Sequence, residues 1–122
     1  MTSARPAPRR WRIASSLLFG AAVLAGCAAG VGAARPTEAD ARWASDGRWP
    51  GTTLGDLEQG RTIFTSKCVG CHGLPRPDAK SADEWPLVVD EMAARSKLSA
   101  ADRDLVLRYL SAESARLRSP GG

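Results

Sequence analysis

The chain has 122 residues, which allows one domain, and it carries 17 lysines and arginines against 13 acidic residues. Four of the arginines lie within the first twelve residues, so removal of that leading segment would leave thirteen charges of each sign. The basic sequence is therefore no argument for nucleic acid or anionic lipid as a partner. Strand patterns, repeats and a glycine-rich phosphate loop are absent from the sequence, which excludes the fold classes that depend on them.

The first 26 residues have the pattern of an export signal. The arginines form a positive segment, and the apolar run from Ile13 to Leu24 suits the hydrophobic region of a signal peptide but is short for a membrane span. We therefore predict that residues 1–26 are a signal peptide and that the protein is exported.

The signal segment ends in Leu24-Ala25-Gly26-Cys27, which resembles a bacterial lipobox. The resemblance implies cleavage before Cys27 and attachment of lipid to its sulfur and amine, which would anchor the protein to the periplasmic side of a membrane. The residue directly after Cys27 is Ala28 and not an acidic residue, and this favours the outer membrane in a Gram-negative host. The alternative is an ordinary cleavage site with an unrelated cysteine.

Residues 27–50 are rich in alanine, glycine, arginine and aspartate and show no sustained apolar period. We predict a flexible tether after the lipidated residue, with an r.m.s. reach on the order of 25–30 Å. Trp43 and Trp49 are costly to leave in water, so we expect at least Trp49 to pack on the folded domain, which the sequence places at residues 51–122.

The first helix of this domain is predicted to begin near Thr53, because Asp56 follows three residues later as in a capping box. One face of the helix is then formed by Leu54, Leu57, Gly60 and Phe64. A glycine inside a helix costs about 1 kcal/mol relative to alanine, so Gly60 indicates a close helix crossing. The alternative is that Gly60 begins a turn.

The stretch Cys68-Val69-Gly70-Cys71-His72 is a C-x-x-C-H sequence, the signature of covalent c-type haem attachment. Two thiols three positions apart on one helical turn can add to the two vinyl groups on one edge of the porphyrin, and the adjacent imidazole then lies under the iron. We expect one haem c on Cys68 and Cys71, with His72 as the proximal iron ligand. A backbone carbonyl would hold the other ring nitrogen of that histidine, and the candidates are Pro75 and Pro77.

Two other chemistries use paired cysteines. A structural zinc site needs four ligands, but the chain offers a single histidine and one further cysteine, Cys27, which already has another explanation. A thioredoxin-like dithiol should lie near a βαβ pattern, and the sequence has none. Haem attachment is therefore favoured over both.

A second helix is predicted after this motif, with Ser81 or Asp83 as its cap. Asp83 is favoured because it places Pro86 in the first turn, where the missing N–H costs little. A third helix is predicted to begin at Ser99 and to end before the final Ser-Pro-Gly-Gly. The apolar stripes of the two helices are Trp85, Val88, Val89 and Met92, and then Leu105, Val106, Tyr109 and Leu110.

Met92 is the predicted distal iron ligand. His72 is the only histidine, asparagine is absent, and Met92 is the only methionine left after loss of the signal peptide. Thioether ligation raises the reduction potential and suits an electron carrier. The alternatives are an ordinary core methionine with an open or water-bound iron, or ligation by Lys80 or Lys97.

Over about residues 51–113 the chain resembles a class I cytochrome c. The resemblance rests on a helix with Gly60 and Phe64, on the C-x-x-C-H and on a last helix with Tyr109 and Leu110. The resemblance implies an all-α domain of three to four helices around one covalent haem. It also implies that the first and last helices cross where Gly60 and Phe64 meet Tyr109 and Leu110. The connection from residue 73 to residue 83 is shorter than is usual in that family.

We expect a monomeric one-electron carrier that meets redox partner proteins and is not an enzyme. One alternative is a haem-based sensor of small ligands with an open iron position; another is a haem domain docked on a larger membrane oxidoreductase. A positive rim for an acidic partner could come from Lys67, Arg76, Lys80, Arg95 and Lys97. Because acidic residues are interleaved with these, we favour a mixed solvated face.

Overall fold

The computed structural model describes residue 1 and residues 33–69 and 73–121. Its α-helices are α1 (Glu38–Asp46), α2 (Leu54–Lys67), α3 (Trp85–Ser96) and α4 (Ala100–Arg118), and a 3₁₀ turn covers Pro77–Ala79. No β-strand occurs in these described residues. The prediction of an all-α fold is therefore confirmed.

The predicted starts of α2 and α4 are confirmed. Thr53 caps α2 in a capping box: its hydroxyl accepts a hydrogen bond from the Asp56 N–H at 3.2 Å, and the Asp56 carboxylate accepts one from the Thr53 N–H at 2.8 Å. The hydrogen bonds that the Asp56 carboxylate accepts from the N–H and the hydroxyl of Thr53 lower the pKa of Asp56. Ser99 caps α4 by accepting from the Asp102 N–H at 3.1 Å. Both caps are short-range patterns that do not depend on the rest of the fold.

The start of α3 differs from the prediction. Its N-cap is Glu84, and neither Ser81 nor Asp83 takes that position. The reason is a turn before the helix, in which the Ser81 carbonyl accepts from the Glu84 N–H at 3.1 Å and the Glu84 carboxylate accepts from the Ser81 N–H at 2.8 Å. Asp83 is instead paired with Arg48. Pro86 lies in the first turn of α3, as expected.

The centre of the fold is the crossing of α2 over α4. A Cβ atom built on Gly60, which is buried, would lie 2.1 Å from the carbonyl oxygen of Leu105 and 3.0 Å from the Cβ of Tyr109. One turn further along α2, the ring of Phe64 packs on that of Tyr109 with 6.0 Å between the ring centroids. The predicted crossing of a glycine against an aromatic residue is therefore confirmed.

Helix α4 contributes to both apolar clusters of the domain. The main cluster contains Ile63, Phe64, Trp85, Val89, Val106, Leu107, Tyr109 and Leu110. The second cluster consists of Ala41, Leu57 and Ala112 and joins α1 to α2 and α4. The long last helix thus packs against α2 and α3 through one cluster and against α1 through the other.

The predicted flexible tether differs from the structure over much of its length. Residues 38–46 form α1, which is capped by Thr37 in a capping box with Asp40 and buries Ala41 and Ala44. Trp49 packs against the main cluster, as expected, whereas Trp43 is 38% exposed. The sequence analysis missed α1 because the apolar residues on its buried face are alanines, although the Thr37–Asp40 capping box was an available signal.

The described residues do not include the predicted signal peptide from residue 2 to residue 26. They also do not include residues 27–32 of the predicted tether, which begin with the lipidation residue Cys27. Within the part of the chain that is described, none of the helices combines the length and the apolar character that crossing a bilayer requires.

Replacement of Gly60 by alanine should destabilise the protein. The added methyl group would overlap the backbone of α4, which cannot move aside like a flexible side chain, so we expect a loss of about 2 kcal/mol in the free energy of unfolding. The matched control is Gly55→Ala in the first turn of α2, where the nearest atom to the new Cβ is the Thr53 hydroxyl at 3.6 Å. Denaturant unfolding of both variants measures the difference. A Gly60→Ala protein as stable as Gly55→Ala would contradict a close crossing.

Candidate functional site

A cavity of about 320 Å³ lies between the end of α2 and residues 88–96 of α3. Two of the predicted site residues, Cys68 and Met92, line this cavity together. The other lining residues are Pro75, Val88, Glu91, Arg95 and Ser96. Three predicted site residues, Cys71, His72 and the lipidation residue Cys27, lie outside the described residues.

Cys68 is held in place by the C-terminal end of α2. It is the C-cap residue, and its backbone N–H donates to the carbonyl oxygen of Phe64 at 3.2 Å. Because Phe64 is fully buried against α4, the position of Cys68 follows from the helix crossing. The first cysteine of the motif therefore has a defined place at the edge of the core.

The surroundings of Cys68 differ from those of a redox-active thiol. The side chain is half-buried and forms no disulfide within the part of the chain that the structure describes, and burial raises the pKa of the thiol. Redox-active cysteines have lowered pKa values and commonly lie at helix N-termini, whereas Cys68 lies at the C-terminal end of a helix, where the dipole disfavours a thiolate. This environment argues against the dithiol alternative.

Met92 lies on the apolar stripe of α3 that was predicted from the sequence. Trp85 and Val89 of this stripe are buried in the main cluster, and Val88 and Met92 are half-buried against it. Met92 therefore points toward the core side of α3 and borders the cavity. The prediction of an inward-facing methionine is confirmed, and its role as an iron ligand stays a prediction.

The loop that follows the C-x-x-C-H is attached to α3 and α4 by three hydrogen bonds to its carbonyl groups. The indole N–H of Trp85 donates to Pro77 at 2.9 Å, the Ser114 hydroxyl donates to Lys80 at 2.5 Å, and Arg118 donates to Asp78 at 3.1 Å. The sequence analysis did not assign these roles. A buried tryptophan needs an acceptor for its N–H. This requirement was the available signal that the Trp85 indole would bond to a nearby carbonyl group.

These hydrogen bonds distinguish between Pro75 and Pro77, the two residues whose backbone carbonyl is a candidate to accept a hydrogen bond from the ring nitrogen of His72. The Pro77 carbonyl already accepts from Trp85, and Pro77 is buried. Pro75 is half-buried and lines the cavity beside Cys68. Pro75 is therefore the better candidate of the two.

The charged residues around the cavity are paired with one another. Arg95 and Glu91, which both line the cavity, form an ion pair at 2.8 Å. Lys67 pairs with Asp102 at 3.0 Å, and Arg76 pairs with Asp78 at 2.8 Å. For these three basic residues the expected mixed face is confirmed, and exposed pairs of this kind contribute little to stability.

Comparison with protein-family models, with curated proteins and with solved structures found no match to this chain. The function is therefore inferred from the residues themselves. The observations that bear on it are the C-x-x-C-H sequence, the position of Cys68 at the end of α2 and the cavity that this residue shares with Met92.

The hydrogen bond from Trp85 to Pro77 should be important for the loop after the motif. Trp85→Phe leaves a buried carbonyl oxygen without this donor and a void beside it, so the free energy of unfolding should fall by about 2–4 kcal/mol. Trp43→Phe on α1 is the matched control, because Trp43 is 38% exposed. Thermal and denaturant unfolding measure both changes. Equal effects of the two substitutions would show that the buried indole has no special role.

Proposed function

We propose that the chain is a one-electron carrier with one covalent haem c, held by thioether bonds to Cys68 and Cys71. His72 is the proximal and Met92 the distal iron ligand in this proposal, and a lipidated Cys27 tethers the exported protein to a membrane. The observation that carries the proposal is that Cys68 of the C-x-x-C-H and Met92 border one cavity.

The residues of the cavity fit such a group. They supply a thiol for covalent attachment, a thioether suited to iron, and apolar walls from Val88 and Pro75. When bound, a c-type haem supplies reversible one-electron exchange at its iron. The thiol of Cys68 would hold one edge of the group, and Val88 and Pro75 would exclude water from it.

The elements that carry these residues are held by the core. Cys68 caps α2, whose Phe64 is fully buried, and Met92 lies on α3, whose Trp85 and Val89 are at most 1% exposed. A site on rigid elements changes little in geometry when its iron gains an electron, which suits a carrier. Val69, next to Cys68 in the motif, is 54% exposed and offers an apolar contact for a redox partner protein.

Covalent haem attachment can be tested directly in the full-length protein. Produced in a bacterium that attaches c-type haem, the wild-type chain should keep one haem after acid–acetone extraction, and the Cys68→Ala, Cys71→Ala variant should keep none. Cys27→Ser is the control, because it removes a cysteine outside the motif: it should keep the haem and lose the lipid. A wild-type chain without extraction-resistant haem would end the proposal.

The distal ligand can be tested by optical spectroscopy. The ferric wild-type protein should show the weak far-red band of iron–sulfur charge transfer, and Met92→Ala should lose it completely and bind CO readily when reduced. Val88→Ala is the control, since it changes an apolar wall of the same cavity and leaves the thioether in place. A wild-type protein without this band that binds CO would indicate an open iron position, and the small-ligand sensor would replace the carrier.

A further inference from the structure

The contact between α1 and α4 encloses two carboxyl groups beside a single arginine of α4. Glu113 is fully buried and forms an ion pair with Arg116 of the same helix. The Nε atom of Arg116 also lies 3.2 Å from a carboxylate oxygen of Asp40 on α1, which is 2% exposed. Within the described part of the chain, Oε1 of Glu113 has no hydrogen-bond partner. Two buried acids thus share one ion-pair partner. Among the same residues, Nε of Arg116 makes no hydrogen bond, and the other carboxylate oxygen of Asp40 accepts from the N–H and the hydroxyl of Thr37, each at 2.7 Å.

Other charged and titratable groups face Glu113 from the neighbouring elements. Arg61 of α2 acts on it electrostatically, but the Nε–H of Arg61 donates to the Ala33 carbonyl at 2.8 Å. Tyr109, one turn earlier on α4, donates its hydroxyl to the Ala34 carbonyl at 2.9 Å, and burial raises the pKa of this tyrosine. Both side chains hold the segment before α1 through these hydrogen bonds.

The apolar part of this contact is small. The side chains that α1 buries against the domain are those of Ala41 and Ala44, and Ala112 of α4 lies in the same cluster as Ala41. Burial of a methyl group contributes far less than burial of a leucine or phenylalanine. A nine-residue helix is also too short to persist alone in water. The docking of α1 therefore depends strongly on its polar contacts.

We propose that residues 33–46 are a pH-sensitive strap, docked on α4 while Glu113 carries a proton and loosened when Glu113 ionises. With Glu113 protonated, Arg116 pairs with Asp40 and links α1 to α4. With Glu113 ionised, two buried carboxylates compete for Arg116, and Oε1 of Glu113 is a buried charge without a partner. Solvation of that charge requires α1 to move away.

The direction of the pH dependence follows from the pKa of Glu113. Burial, opposed by Arg116 and reinforced by Asp40, raises this pKa from its usual 4.5 to about 7. The docked state therefore binds the proton more tightly than the open state. Docking is strongest below pH 4.5, weakens as the pH rises from 4.5 to about 7, and is constant above that. Each unit of pKa is a factor of ten, so this rise of about two and a half units weakens docking by up to roughly three hundredfold.

The strap would also control the reach of the domain from a membrane, a consequence that rests on the proposed lipidation of Cys27. Cys27 and Ala33 are six residues apart, so a docked strap keeps the domain surface within about 20 Å of the lipidated residue. After release of the strap, Trp49 is the first residue that packs on the domain. It is 22 residues from Cys27, so the chain between the two residues can span at most roughly 75 Å. Rising pH would then let the domain reach partners farther from the membrane.

Amide hydrogen exchange of the purified full-length protein between pH 4.5 and 8 tests the strap. After correction for intrinsic exchange rates, protection of residues 38–46 should fall by up to roughly three hundredfold across this range, while residues 105–110 of α4 keep theirs. Glu113→Gln should hold α1 at its high protection at every pH. Glu58→Gln, the same change at an exposed position of α2, should behave as the wild type.

Protection of α1 that does not change with pH, or a fall that persists in Glu113→Gln, would overturn the proposal. A second measurement needs no substitution: carbon-13 NMR of the glutamate carboxyl groups of the wild-type protein should show one group that titrates near pH 7. If every glutamate titrates below pH 5, the strap is not controlled by Glu113. Neither measurement depends on haem or lipid, so failure of the proposed electron-carrier function would be seen separately.

Discussion

The close approach of α2 to α4 at Gly60 is the contact on which the rest of the domain depends. It brings the backbone of Leu105 within van der Waals range of α2, and so allows Phe64 and Tyr109 to pack in the main cluster. The end of α2, with Cys68 as its cap, is set in place by the same contact. Any larger residue at position 60 would separate the helix that leads into the C-x-x-C-H from the helix that supports it.

The C-terminal half of α4 supports two different parts of the chain. Residues 111–114 are all buried, yet only Ala112 among them is apolar. Glu113 takes part in the contact with α1 through Arg116, and Ser114 donates to the loop carbonyl of Lys80. Buried polar residues of this kind give little net stability, but their hydrogen bonds and ion pairs specify which segments dock on the helix.

The features that could be predicted from the sequence are those encoded by neighbouring residues. The caps at Thr53 and Ser99 and the crossing at Gly60 belong to this group. The cap of α3 depends on a competing local turn, and the pairing of Asp40 with Arg116 depends on a tertiary contact, so neither could be predicted. Helix α1 had a local signal in the Thr37–Asp40 capping box, but its docking on α4 depends on tertiary contacts. For the candidate site, motif spacing indicated Cys68 and elimination of other ligands indicated Met92, but only the folded chain shows that they border one cavity.

The order of the elements along the chain sets the order in which the domain can close. Helix α4 comes last, and it contributes residues to both apolar clusters. A chain that emerges N-terminus first exposes α2 and the C-x-x-C-H well before residues 100–118 follow. Until then Gly60 and Phe64 have no helix to cross, and Cys68 at the end of α2 is not yet set against the core. The late position of α4 thus leaves an interval in which the haem attachment proposed above could precede folding.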